Sequence, residues 1–549
     1  MRLKVTKPYL RLPFREWRKD TVYCRKENLE TFPRVELYAD DRLVFSHRIP
    51  LAVGEPDWYG YLNVSAYLGR EIELRLPETG EEVELLLVDE VPAPDGGYQR
   101  PDAHFSYREG HMGDVTALTW WRGQWHFFSI YTPFDGAEIA WGHAVSDDMV
   151  HWTELPPFYC GEYLMYNGAG YVDENDVFSL YVPVIGMGLC RLTTEDGVSF
   201  PWRGKEQLII DHGDAPRFFQ DPGTGLDSMF LKRDFRKVEQ YRTRDWKTWE
   251  QDEDFPAIAE MRFHEGDPCE KIFELPLDGN PDRMITVMYF GMGGYCLGGW
   301  QDGRYVTLTG NPIAPDDLIL DYHYGFPTFF ANAPDNRKIA MNTVGNAGFG
   351  GMPNFEHNYP HAASFPVEFQ LLSTHCGPRL AQLPVKEIEG LYQDKKLFAP
   401  AKLDEGQTMM LADHQGAYHI RLSLEHPQGV IDVAIGYMHL LLDMEARTVA
   451  LCCDGSATLH TGRGAQYGMP DSQTIRRASL YERPGNDSLT VELVADHTSV
   501  EAFVQDGLIA IQCGRLCFSG NEGPFVSLKA NKPCVISEGF IASLNGATR

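Results

Sequence analysis

Residues 123–131 read GQWHFFSIY, a turn glycine followed by a short run of aromatic and aliphatic residues with the signature of a β-strand. The same unit returns as DVFSLYVPV (176–184), DSMFLKRD (227–234), RMITVMYFG (283–291) and RKIAMNTV (337–344). Measured from the turn residues Gly123, Asp176, Asp227, Asp282 and Asp335, the spacings are 53, 51, 55 and 53 residues. A repeat of this length holding several short strands is the sequence form of a propeller blade, which buries its faces only against neighbouring blades. A second signal keeps step with the first. SDDMVHW (146–152), TEDGVSF (194–200) and TRDWKTW (243–249) each place an aspartate two residues after a hydroxyl and an aromatic four residues later, and Asp148, Asp196 and Asp245 lie 48 and 49 apart. The reading is an all-β chain with a five-bladed β-propeller over residues 99–375.

The flanks lack this period. Residues 1–98 alternate in RVELYADDRLVFSHRI (34–49) and EIELRLPETGEEVELLLVDEV (71–91) and end in a Pro-rich connector, VPAPDGG (91–97), which predicts a small N-terminal β-sandwich. Over 376–549, runs such as YHIRLSLE (418–425) and GLIAIQC (507–513) predict a C-terminal β-sandwich, with a linker or irregular crossing near 392–410. Three domains suit a chain of 549 residues.

Charge works by exclusion. With 78 acidic against 49 basic residues, the formal charge of −29 repels phosphate backbones and anionic lipid, so nucleic acid and membrane are not expected partners, whereas a neutral sugar is compatible. No apolar run reaches signal-peptide or membrane-span length, and the expectation is a soluble, cytoplasmic protein. The 11 cysteines include no CxxC pair and many sit in apolar runs, as expected of buried thiols rather than a metal site. Nothing in the sequence demands a metal or an organic cofactor.

In a propeller the first strand of each blade lines a central channel, so sites are sought near blade starts. Asp114 in GHMGDVTAL (110–118), Asp221 in FFQDP (218–222), and Asp267 and Glu270 in GDPCEKIFEL (266–275) stand at a similar phase in three blades. Any one of them reads equally as a turn residue beside Gly or Pro; the shared phase points to a common pocket.

From residue 101 onward the chain resembles glycoside hydrolase family 32, the invertases, inulinases and levanases. AWGHAVSDDMVHWTELP (140–156) is similar to the family's W-G-H-A-V-S-x-D-x-x-x-W-x-x-L-P. FELPLDG (273–279), SFPVEFQL (364–371), GPRLAQLPVKEIEGL (377–391) and LTVELVADHTSVEAFVQDG (489–507) follow in the family's order. The added N-terminal module resembles a subset of bacterial levanase-like members. The resemblance implies hydrolysis of β-fructofuranosides with retention. An aspartate in W-x-N-D-P-N-G attacks the anomeric carbon, a glutamate in E-C protonates the leaving oxygen, and an aspartate in R-D-P holds the fructosyl ring. Such a pair stands about 5 Å apart, one carboxyl ionised and the other protonated.

By this resemblance Asp114 matches the nucleophile and Asp221 the ring-holding aspartate, with Gln220 where Arg is expected. The acid/base role falls to Glu270 or Asp267: matching the two acidic pairs favours Asp267, and the longer arm of Glu270 favours Glu270. Other ligand positions differ from the family. Y-Q-H-N-P is SIYTP (129–133), and F-S-G-S is similar to YNGAG (166–170). His111, Tyr131, Tyr166, Asn167 and Gln220 are candidates for a changed hydrogen-bond set, and Trp141 reads either as a sugar platform or as blade core. GNAGFGGMPNFEHNYP (345–360) reads as a pocket-rim loop rather than a phosphate loop, with His357 and His361 as candidate ligands; His143 and His151 read as structural. The leading expectation is a glycoside hydrolase with a carbohydrate substrate. A weakly catalytic sugar-binding protein and a fructosyl-type transferase are the alternatives.

Overall fold

The computed structural model describes all residues except 16–31, 77–82, 84, 93–100, 109, 133, 135–138, 161–162, 221–224, 235–236, 253–268, 291–293, 302–303, 309–318, 321–326, 345–361, 413–415, 437, 454–473, 482, 486–487, 497–498, 515–525 and 548–549. The N-terminal region folds as a four-stranded sheet, in the order Arg2–Lys4, Glu71–Arg75, Arg34–Ala39, Arg42–Arg48, beside a three-stranded sheet of Trp58–Asn63, Tyr9–Phe14 and Leu86–Val88. Alternation makes the strands: Val35, Leu37 and Ala39 are buried while Arg34, Glu36 and Tyr38 are less so. Asp40 and Asp41, both with positive φ, make the two-residue turn that closes this hairpin. The module is fused to the next domain through aromatic packing. Phe134 lies 4.9 Å from Phe14, Tyr159 lies 5.1 Å from Phe45, and Asn63 Nδ2 donates to the Glu154 carbonyl at 3.0 Å.

Between about 111 and 384 the chain forms antiparallel four-stranded meanders. The first comprises His111–Trp121, Gln124–Thr132, Ala140–Ser146 and Thr153–Phe158. The second comprises Ala169–Val172, Phe178–Val184, Gly188–Thr193 and Leu208–Ile210, and the third Asp214–Gln220, Asp227–Asp234, Lys237–Thr243 and Glu250–Gln251. The fourth is built from Cys269–Pro276, Met284–Phe290, Gly294–Gln301 and Arg304–Thr307, the fifth from Thr328–Ala331, Ile339–Met341, Val367–Thr374 and Gly377–Pro384. The ring closes where the first strands of the fifth and first meanders pair in parallel, Phe330 opposite Leu118. Gly123, Asp176 and Asp335 take positive φ between the first two strands of their meanders.

The hydroxyl–aspartate repeat is a turn between third and fourth strands. In the first meander Asp148 Oδ1 accepts the N–H groups of Val150 and His151; Asp196 does the same for Val198 and Ser199, and Asp245 for Lys247 and Thr248. The residue after each aspartate, Met149, Gly197 or Trp246, has positive φ. Burial alone would raise the Asp148 and Asp196 pKa values, but the converging N–H groups hold these carboxyls, and that of Asp245, below the ordinary value.

The C-terminal region is a sandwich of a seven-stranded and a six-stranded sheet around Ile420, Leu422, Val433 and Leu440. The crossing expected near 392–410 is part of it: Tyr392–Leu397 and Ala401–Leu403 pair with Cys534–Leu544, and Thr408–Ala412 joins the opposite sheet. YQDKKL lacks apolar alternation because it is a charged edge strand, which needs a partner on one side only.

Propeller and sandwich are joined by a buried polar cluster. Asp496 accepts the N–H groups of Asp102 (3.0 Å) and Ala103 (2.8 Å) and the Nδ1–H of His104 (2.8 Å), while Glu501 accepts the Phe365 N–H at 3.1 Å and faces His104 Nε2 at 3.5 Å. Burial alone would lower the His104 pKa, but these two carboxylates push it up to about 9. Asp496 and Glu501 both belong to the LTVELVADHTSVEAFVQDG stretch. Cys160, Cys190, Cys296 and Cys534 are buried free thiols, and Cys376 is exposed.

Candidate active site

The first strands of the first three meanders run side by side, in a register fixed by hydrogen bonds. Gly168 N–H donates to Thr116 Oγ1 at 2.6 Å, Ala215 N–H to the Asn167 carbonyl at 3.0 Å, and Arg217 to the Gly168 carbonyl at 3.1 Å. Lys271 Nζ, donating to the Phe218 carbonyl at 3.2 Å, ties the fourth meander to the third. Asp114, Asn167 and Asp214 therefore share one level at the same end of the strands. Asp114 is exposed there, and Asn167 Nδ2 donates to its Oδ2 at 3.2 Å. Gly168 makes the approach of the second strand possible, since a Cβ there would lie 2.2 Å from the Tyr181 carbonyl oxygen and 2.4 Å from the Trp141 ring.

Three of these strands carry the same irregularity. Pairing steps from Met112 opposite Tyr131 to Val115 opposite Ser129, from Asp214 opposite Lys232 to Arg217 opposite Phe230, and from Cys269 opposite Phe290 to Lys271 opposite Tyr289. Each step inserts one extra residue on the first strand, a β-bulge of the kind that re-aims a side chain at the rim of a sheet. Asp114 lies within the first bulge, Asp214 borders the second, and Glu270 is the extra residue of the third.

The sequence-predicted residues separate on this frame. Asp114 and Asn167 come together, with Tyr166, 48% exposed, beside them. Glu270 falls on the strand start at a matching phase, and only its backbone belongs to the described residues. His111 opens its strand opposite Thr132, again described for the backbone alone. Tyr131 is buried, its ring 4.7 Å from Tyr107. Trp141 has no exposed surface and is packed by Phe128, Phe158 and Gly168, which corrects the sugar-platform reading in favour of blade core. Gln220 ends the strand that Asp214 begins, roughly 20 Å away at about 3.3 Å per residue, and is not brought to Asp114. Asp221, Asp267, His357, His361 and the 345–360 loop lie outside the described residues. His143 and His151 are structural as expected: His143 is fully buried, and His151 donates to Asp148 at 2.7 Å.

Asp214 is the residue that sequence reasoning missed. Gly213-Asp214-Ala215-Pro216 reads as the family's R-D-P with Gly in place of Arg and one residue inserted, and the inserted Ala215 sits in the bulge with φ 48°. By sequence this match falls on the contiguous Gln220-Asp221-Pro222 alone; the register shows Asp214 level with Asp114 and Asn167. Among the described residues no group of three His, Cys, Asp or Glu gathers as metal ligands, and no helix is long and apolar enough to cross a membrane.

Comparison with known proteins supports the fold and the family. The fold matches a solved fructofuranosidase from Schwanniomyces occidentalis complexed with fructose, at a TM-score of 0.68 and 16% identity, over 82% of this chain and 98% of that one. A levanase from Bacillus subtilis is 24% identical over 473 residues, 77% of this chain and 68% of its own length. A second levanase, from Bacillus sp. strain L7, is 23% identical over 462 residues, but the match spans only 48% of its length. Residues 104–384 match the N-terminal domain of glycosyl hydrolases family 32, more than half of the chain. The protein, a β-propeller with β-sandwich domains, belongs to glycoside hydrolase family 32.

Proposed function

We propose that the protein hydrolyses β-fructofuranosidic bonds, in a fructan or related furanoside, with retention of configuration. The observation that carries this reading is the Asn167–Asp114 hydrogen bond at 3.2 Å, placed in a bulge at the shared strand ends where two further bulged strands bring acidic residues. Asp114 is the nucleophile: its ionised carboxylate attacks the anomeric carbon and the glycosidic bond breaks. Glu270 is the acid that gives its proton to the leaving oxygen, then takes one from the water that releases the glycosyl-enzyme ester. Asp214 takes the ring-holding role. Its carboxylate accepts hydrogen bonds from sugar hydroxyls, and Gly213, where the family pattern has arginine, marks where the pocket differs from that pattern. The Oδ1 of Asn167 is a buried acceptor with no hydrogen-bond donor among the described residues, as suits a group that awaits one from a ligand.

Carbon-13 NMR of the first sugar released from levan, inulin or sucrose tests the reading. β-Fructofuranose as the first product supports it; the α anomer contradicts a retaining mechanism. The motif positions that differ from the family favour the weakly catalytic sugar-binding alternative, which predicts retention of these glycans on the protein with no sugar released.

A further inference from the structure

Glu239 has no place in the chemistry above, yet it is a buried carboxylate near the site. It pairs with Leu231, next to Lys232, the partner of Asp214, so it lies at the same end of the third meander as Asp214. Its side chain is 1% exposed and accepts from His212 Nε2 at 2.8 Å, Tyr241 Oη at 2.9 Å and Arg233 at 2.8 Å. The other nitrogen of His212, Nδ1, faces Asp211 Oδ1 at 2.8 Å. Taking a carboxylate out of water costs several kcal/mol unless donors surround it, and here they do so at the one place where the chain crosses into the third meander.

That crossing is His212-Gly213-Asp214-Ala215. Gly213 has φ 96°, and a Cβ there would lie 2.4 Å from the Leu231 side chain; Ala215 has φ 48°. A left-handed alanine is strained and persists only when its surroundings fix it. Asp214 thus stands between two left-handed residues. On one side Ala215 N–H is held by the Asn167 carbonyl, and on the other His212 is held by Glu239. We infer that Glu239, acting through His212, is a positioning residue that fixes the backbone turn presenting the Asp214 carboxylate to the sugar. The inference rests on the reading of Asp214 as the sugar-holding group.

The test uses the full chain and two variants. Glu239→Gln keeps the shape and removes the charge, while His212→Asn shortens a partly exposed side chain. Hydrogen exchange followed by mass spectrometry reports the 211–217 segment, and levan hydrolysis reports KM. In both variants, exchange at 211–217 is expected to rise about tenfold while 227–234 keeps its wild-type protection, and KM for levan to rise about tenfold. A smaller folded fraction would lower apparent kcat and leave KM unchanged, so KM separates positioning from general weakening. Unchanged exchange at 211–217, or a rise spread evenly over the whole meander, overturns the inference. Local loosening in a protein whose wild type leaves levan intact supports the positioning of Asp214 and removes its sugar-holding role.

Discussion

Asn167 Nδ2 donates to Asp114 Oδ2 across 3.2 Å, joining the first strands of two neighbouring meanders whose chain positions are 53 residues apart. The bond fixes the orientation of the Asp114 carboxylate, which is what a nucleophile held for in-line attack requires. Asn167→Ala is therefore expected to slow levan hydrolysis by roughly 10- to 100-fold, the worth of a hydrogen bond to a charged group. Steady-state kinetics on the purified variant checks this, and wild-type turnover would free Asn167 from any role.

Asp214 and Asp221 make opposite predictions. Asp214→Asn should cut kcat/KM for levan by about 100-fold through the loss of charge-assisted bonds to sugar hydroxyls. Asp221→Asn should leave it within about twofold, because Gln220 ends its strand roughly 20 Å from Asp214. The reverse ranking would restore the sequence-based assignment.

The bulges explain which parts of the site were legible. Blade turns are written locally: a hydroxyl, an aspartate and the two N–H groups that the aspartate accepts lie within seven residues, as in Thr194 to Phe200, so composition and spacing reveal them. Asp114 stands out as a candidate in the sequence because the residues around it keep part of a motif. Asp214 was not, since the extra Ala215 breaks the R-D-P string, and an inserted residue that ends as a bulge looks in sequence like a mismatch. Trp141 could be read either way until its neighbours were known. The His104–Asp496 contact spans 392 residues, and no local pattern announces a partner at that range.

The turns themselves are testable. Asp196→Ala removes the acceptor for Val198 and Ser199 N–H and should destabilise the protein by about 1–2 kcal/mol, read as a shift of the unfolding midpoint in urea. The corresponding Asp245→Ala should cost a similar amount, and an unchanged midpoint in both would deny the turns a stabilising role.

Four histidines set the pH range of the fold. Burial lowers the pKa of His126 to about 4 and of His47 to about 3, and lowers His143 well below its ordinary value. All three are held neutral in the folded state. Their stabilisation is complete above the unfolded value near 6.5 and is lost as pH falls from there toward 4 and then 3. His104 has the opposite sign. Raised to about 9, it contributes fully below 6.5 and loses its contribution as pH rises through 9. Urea midpoints measured from pH 3 to 10 should peak near 6.5, falling on the acid side toward 3 and on the alkaline side until about 9. Asp496→Asn should cost about 3 kcal/mol by stranding a buried imidazolium, and should remove the alkaline fall.

The central claim is that Asp114 is the nucleophile of a glycoside hydrolase, and levan turnover by Asp114→Asn measures it most directly. The amide keeps the shape and the neighbours of the carboxylate but does not attack the anomeric carbon. The predicted result is a fall in kcat of at least about 1000-fold with levan still bound. Turnover within about tenfold of wild type would contradict the assignment and place the chemistry elsewhere on the chain.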